Sequence, residues 1–389
     1  MEGLFYERAA LAAMGKIFGY IPTVGLALYE HIGSAKDIFS LDSKELDSML
    51  GQHSSYGAAI TMETLEKEIE ELEWLSDNGC RFISLADEDY PEMLLECPDR
   101  PLGLYFRGES SPTEVFSMRP SIAIVGTRNL SPSGKIWCER IVRSLSESGS
   151  DPSIVSGLAF GADSVAHSMA LECGLPTIGV MATGIDSIYP WQHRDLAEKI
   201  AQTPGCALVT DYPPRTSPVA LNFIRRNRII AGLSYATIVI ESAEKGGSLI
   251  TARYANDYSR DVYALPGRID DRKSAGCNSL IRKQMADIID NIEDLPARLG
   301  FGGRPKRARE DILKNAEGLY RGSLPAEKIT AILEVLEVVK KSPGIDYDGL
   351  SAEIGRPYGA VAECVGLLES DGFISTDLLK RCTINSKNV

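Results

Sequence analysis

The chain has no C-x-x-C pair; its eight cysteines stand singly at positions 80, 97, 138, 173, 206, 277, 364 and 382. Thiols without a partner at ligand spacing argue against a cysteine zinc site and against a thiol redox motif, and they fit a reducing, cytoplasmic setting. No uninterrupted apolar run reaches about 18 residues, so no membrane span is expected. The start, "MEGLFYERAALAAMG", carries an acid at position 2 and lacks the long apolar stretch of a secretory leader. Bases are scarce in the first third: residues 1–118 hold 22 acids and 8 bases, a net of −14. The whole chain of 389 residues carries a formal net charge of −13, which leaves the other 271 residues at +1. The acidity is therefore local, and the global pI does not exclude a nucleic-acid partner for the remainder.

Apolar residues at three- and four-residue spacing in "ALAAM", "VGLALYEHIG" and "METLEKEIEELEWLSDNG", with glycines at the breaks, predict a helical segment over 1–80. The proline-punctuated stretch 81–118 reads as a connector with two short strands. From residue 121 the texture changes. The short apolar runs "SIAIVG", "SIVSG", "PTIGVMA", "CALVTD", "ATIVIES" and "DVYALPG" recur between helix-length segments. Continuous apolar strands alternating with helices predict a parallel sheet covered on both faces, a doubly wound α/β domain over about 119–297. Residues 298–324 read as a linker whose first twelve positions hold five bases and no acid, either a tether or an added strand contact. The tail, 325–389, reads as three helices and a hairpin, the pattern of a winged helix.

In a doubly wound sheet, ligands bind beyond the carboxyl ends of the strands, so the residues after each run matter most. After the first comes "GTRNLSPSGK". A dinucleotide fingerprint needs glycine where Arg128 stands, and the Gly126 to Gly134 spacing does not match a Walker motif. What remains is a tight turn, Gly126–Thr127–Arg128, ahead of a helix and suited to an anion. After the second run, "SGLAFGAD" places Ser156, Gly157 and Gly161 where backbone N–H groups can cradle a phosphate. In the same stretch Asp163 reads as a helix cap and His167 as a core or helix-face residue. After the fourth, "DYPPRTSPVALNFIRRNRIIAGLS" reads as a proline-stiffened loop that delivers Asn222, Phe223, Arg225, Arg226, Asn227 and Arg228 to the crevice, ahead of a helix beginning near "RNR". Bases beside an exposed ring are the pattern for single-stranded nucleic acid. After the fifth, Lys245, Gly247 and Ser248 open a second glycine–serine helix entrance. No nucleophile stands beside a base in these segments, so the crevice reads as built to hold a phosphodiester rather than to cut one.

"AIVGTRNLSPSG", "SGLAFGAD", "GVMATGIDSIYP", "DYPPRTSP", "RNRIIAGLS", "GGSLITARYA", "RDVYALPG" and "GCNSLIR" occur in this order, and together they closely resemble the DprA/Smf family of DNA-processing proteins. The resemblance runs through about 119–290 and extends upstream through "DEDYPEMLLECPDRPLGLYFRG". It implies an extended Rossmann-like core that is not an enzyme and needs no cofactor. Such a core forms a homodimer, binds incoming single-stranded DNA during natural transformation, protects it, and loads the RecA recombinase onto it. It also implies a DNA pocket at Arg128, at the Ser156–Gly157 turn and at Phe223 through Arg228. The chain departs from the family pattern "SGLARGID" at Phe160 and Ala162, and Ile224 stands where a proline is usual. In the tail, the helix expected over 358–371 has no Lys or Arg and carries Glu363, Glu369 and Asp371, which suits a docking module better than groove readout. The competing reading is a Rossmann-type nucleotide hydrolase like the phosphoribohydrolases. It would need a glutamate where Thr251 stands.

Overall fold

The computed structural model describes residues 2–52, 54–116, 119–301, 313, 316–342, 344–377 and 380–384. The bases expected in the linker at 304–309 lie outside them. The chain divides into two compact units, Met1–Gly302 and Gly303–Val389.

The first unit is organised by a nine-stranded sheet: β1 (Arg81–Ser84), β2 (Gly103–Arg107), β3 (Ser121–Val125), β4 (Ser153–Ser156), β5 (Thr177–Val180), β6 (Ala207–Thr210), β7 (Ala236–Val239), β8 (Asp261–Ala264) and β9 (Asp287–Ile288). Their spatial order is β1-β2-β6-β5-β4-β3-β7-β8-β9. The strands from β3 to β9 run parallel, while β1 and β2 add an antiparallel hairpin against β6. All six strands expected after residue 120 are present; the short β9 is an addition that its two exposed residues did not signal.

The central strands are buried along their whole length because both of their faces are covered. Side chains alternate along a strand. Ile122 and Ile124 of β3 therefore pack on one side with Ile141, Leu145 and Ala166, while Ala123 and Val125 pack on the other with Ile229, Ile230 and Ala252. The first set comes from helices α1 (Pro132–Glu147) and α2 (Ala162–Glu172), the second from α3 (Ala220–Gly232) and α4 (Ser248–Asp257). A third cluster joins the N-terminal helices, among them Glu2–Phe18 and Met62–Asp77, to the sheet through Phe18, Leu72, Tyr105 and Leu208.

From β3 the chain winds outward through β4, β5 and β6, then returns through α3 to β7 on the other side of β3. The β3–β7 boundary is thus the topological switch point, where connections leave in opposite directions and a crevice opens. One expectation is corrected here. The segment carrying Phe223 and the arginines is not a loop ahead of a helix; α3 already begins at Ala220. The physical reason is that Pro218 precedes the run and nothing after it breaks a helix until Gly232.

The second unit, described by itself, holds helices Ala326–Lys341, Tyr347–Ile354 and Tyr358–Ser370 and a three-stranded antiparallel sheet of Ile345–Asp346, Arg381–Ile384 and Ile374–Thr376 in that spatial order. Its core is Ile332, Val335, Leu336, Val361, Val365 and Leu368. Among the described residues no helix is long and apolar enough to cross a membrane, and all eight cysteines are unpaired.

Candidate nucleic-acid interface

A cleft of about 590 Å³ opens at the switch point, bounded by Gly126–Arg128 after β3, Tyr189 after β5, Phe223 and Asn227 of α3, and Ser242 with Gly246–Ser248 ahead of α4. Its shape begins with close backbone approaches. Gly126 sits so near α2 that a Cβ there would lie 2.7 Å from that of Ala162. Gly161 adopts φ +81°, and a side chain would stand 2.2 Å from the Thr127 carbonyl oxygen. The Thr127 N–H donates to the Glu241 carbonyl at 2.8 Å, and the Glu241 carboxylate accepts from the Ser131 N–H at 3.0 Å and from its hydroxyl. Glu241 thereby fixes the turn that presents Arg128. Sequence reading missed this residue, although a carboxylate ending a buried strand was the available signal.

Arg128 is exposed, and its guanidinium lies 5.0 Å from the centroid of Phe223. Tyr189 meets Phe223 edge-on with centroids 5.4 Å apart. This gives a two-ring platform with a cation on it. On another part of the lining Gly247 is exposed, Ser248 is buried with its hydroxyl donating to Ser242 Oγ at 2.9 Å, and the Asn227 side chain donates to the Gly247 carbonyl at 3.4 Å, while the exposed Lys245 lies outside the lining. The N-terminus of α4 therefore shares the cleft with the platform; its Leu249 and Ile250 N–H groups already bond the Gly246 and Gly247 carbonyls, and the positive end of the helix suits an anion.

The three clustered arginines do not act alike. A helix turns about 100° per residue, so consecutive positions diverge. Arg226 points inward. It is buried, donates through Nη1 to the Gly157 carbonyl at 2.7 Å and to the Val180 carbonyl, and occupies the space a Gly157 Cβ would need. Burial lowers its guanidinium to about 10, against the nearby Asp163 carboxylate, so it stays charged at neutral pH. Burial likewise raises Asp163, with Arg226 the main opposing influence. Arg228 is also buried. It donates to the Asp99 carbonyl and pairs with Asp211 at 2.5 Å. Arg225 alone is part-exposed; it donates to the Gly19 carbonyl at 2.8 Å and stacks on Tyr20.

Two of the three arginines expected to face a strand are thus internal supports, because the run is helical and one side of that helix faces the sheet. Ser156 and Asn222 are internal as well. The Ser156 hydroxyl donates to the Ile124 carbonyl at 2.6 Å, and Asn222 accepts from the Tyr20 hydroxyl at 3.2 Å through Oδ1. Gly157 serves as the seat of the Arg226 guanidinium rather than as an open anion cradle. The expected positions the structure brings to the cleft are Gly126, Thr127, Arg128, Phe223, Asn227, Gly247 and Ser248, with Arg226 beneath it.

Among the described residues Asp163 is the single carboxylate lining the cleft; it accepts from the Ala159 N–H at 3.3 Å and is influenced by hydrogen bonds from Ser156 and Gly157, so it balances Arg226 rather than activating a nucleophile. It lies in the first turn of α2, two residues past the cap position, which Gly161 holds. His167 is fully buried, 2.7 Å from Thr177 Oγ1, and burial drives it down to about 3. Among the described residues no group of three or more His, Cys, Asp and Glu side chains is placed to hold a metal ion.

The family described as "DNA recombination-mediator protein A" matches residues 81–300, more than half of the chain. The chain is 43% identical over 220 residues to Protein Smf of Synechocystis sp., a match that covers 57% of this chain and 54%, little more than half, of that relative. Among solved structures, DNA processing protein A (DprA) from Streptococcus pneumoniae aligns with a TM-score of 0.62 and 30% identity, covering 75% of this chain and 97% of that one. DNA processing protein A from Helicobacter pylori, whose structure describes a single-stranded DNA binding mode, aligns with a TM-score of 0.50 and 30% identity over 56% and 95% of the two chains.

Proposed function

This chain belongs to the DNA recombination-mediator protein A family, the DprA/Smf proteins, and on that premise we propose that its switch-point cleft holds single-stranded DNA. The observation that carries this is the exposed Arg128 guanidinium resting on Phe223, with Tyr189 closing the platform and the α4 N-terminus lining the same cleft. Bases stack on aromatic faces whatever their identity, and phosphates seek cations and helix N-termini. A cleft with this lining grips a strand through its backbone and base faces and is indifferent to sequence. The single-strand binding described for the Helicobacter pylori relative supports the reading.

The role we assign is that of a recombination mediator in the cytoplasm. It protects incoming single strands during natural transformation, works as a homodimer through the Rossmann-like unit, and hands the strand to the RecA recombinase. The family resemblance supports each of these points. We assign the three helices and small sheet of the second unit to a winged-helix module that docks a protein, because its last helix, Tyr358–Ser370, has no basic residue.

Fluorescence anisotropy of a labelled single strand and its duplex, titrated with salt, tests the reading. The expected result is single-strand preference, an affinity that falls steeply with salt, and retention of both when residues 325–389 are removed. Absence of binding at low salt overturns it.

A further inference from the structure

Outside the cleft, a second aromatic–guanidinium pair sits on the far flank of α3. Tyr20, just past the helix Glu2–Phe18, leaves 54% of its surface in solvent, and the Arg225 guanidinium lies 4.9 Å from its ring centroid. The ring is held at both ends. Its hydroxyl donates to the buried Asn222 Oδ1 at 3.2 Å, and Arg225 is anchored to the neighbouring Gly19 carbonyl at 2.8 Å. Arg225 has five N–H donors in a fixed fork, so that anchor leaves donors for a phosphate. The pair repeats the chemistry of Arg128 on Phe223, with a ring fixed in orientation, one face accessible and a cation beside it.

We propose that a single strand leaving the cleft crosses the N-terminal end of α3 and stacks a further base on Tyr20, with Arg225 at the adjoining phosphate. The inference rests on the strand-binding reading of the cleft. Three observations carry it. On the α3 helix Leu221 and Ile224 fall between Phe223 and Arg225, and both are exposed, at 51% and 44%. Phe223 and Arg225 stand on one helix, and Tyr20 is tied to that helix through Asn222, so the spacing of the two platforms is fixed. Acids elsewhere in this unit are partly compensated: Lys16 pairs with Glu68 at 2.5 Å and with Glu71 at 2.6 Å, and Asp211 is taken by Arg228. The acidic N-terminal segment thereby contributes one aromatic side chain to the strand path while its net charge keeps nucleic acid off the rest.

The experiment compares the full chain on oligothymidylates of ~5 and ~20 nucleotides, lengths that bracket a single binding site, using Tyr20→Ala, Tyr20→Phe and Phe223→Ala. Tyr20→Ala is expected to weaken the long strand by at least about fivefold, the low end of a lost stacking contact, and the short one by less than about twofold. Tyr20→Phe, which keeps the ring, holds within about twofold on both. With the unmodified protein, photocrosslinking of a 20-mer carrying 5-bromouracil should place an adduct on Tyr20, a readout that does not depend on a variant folding. Equal losses on both lengths overturn the inference, since Tyr20 would then only shape the cleft through Asn222. Loss on neither length, with Phe223→Ala weakening both, also overturns it and leaves the cleft reading standing. Phe223→Ala without effect on either length removes the cleft reading itself.

Discussion

Replacing Arg228 by alanine should injure the fold and spare the DNA contact, while replacing Arg128 should do the reverse. Arg228 and Asp211 expose 5% and 9% of their side chains, and the guanidinium also serves the Asp99 carbonyl. Removing it strands a buried carboxylate and an unpaired carbonyl, and breaking one partner of such a pair costs about 3–5 kcal/mol. At roughly 2 °C per kcal/mol for a unit of this size, the melting temperature should fall by about 6–10 °C. Lysine will not rescue it, since an ammonium cannot reproduce the planar fork that reaches both acceptors. Arg128, by contrast, is exposed and rests on the Phe223 ring. Its loss should change stability by less than about 0.5 kcal/mol, yet reduce the slope of log affinity against log salt by about 0.7, the value for one single-strand phosphate. Circular dichroism melts and salt-titrated anisotropy on both variants decide the matter. An Arg228→Ala protein with unchanged melting and a slope lowered by about 0.7 would refute the reasoning, because Arg228 would then be reaching a phosphate.

Two further outcomes follow from the same interior. Gly157→Ala sets a Cβ 2.3 Å from Nη1 of Arg226, whose guanidinium is held by two carbonyls; the displaced buried charge should cost roughly 2–4 kcal/mol in chemical denaturation, and a cost under about 0.5 kcal/mol would show that the guanidinium can move aside. His167 is lowered from 6.5 to about 3 by burial. Between those values the unfolded chain binds the proton and the folded one does not, so stability is lost as pH falls below about 6.5, approaching 1.36 kcal/mol per pH unit from this group. His167→Gln should remove that component from denaturation midpoints measured between pH 7 and 5, and an unaltered pH slope in the variant would mean the imidazole is not titrating in this way.

The strand runs were legible because a central parallel strand must be apolar on both faces, and that constraint is written residue by residue in "SIAIV" or "ATIV". The glycine turns were legible for a related reason, since Gly126 and Gly161 stand where backbone meets backbone and no side chain fits. Phe223 and Arg128 were found from the same rule that ligands gather at strand ends. The direction in which each arginine points was not legible. Arg225, Arg226 and Arg228 are chemically identical in the sequence, and which of them meets solvent depends on where α3 begins and which side of it the sheet covers. The partners that hold the buried ones, the Gly157 and Val180 carbonyls and Asp211, come from three other strand ends. Tyr20 lies 202 residues from its partner Asn222, and no local pattern joins them. The sequence by itself determined the strand and helix segments, their layering and the strand-end turns that ligands would meet, because those follow from local periodicity and burial. Only the tertiary structure decided which cations face the cleft and which hold it together, because that choice is made by contacts between segments far apart in the chain.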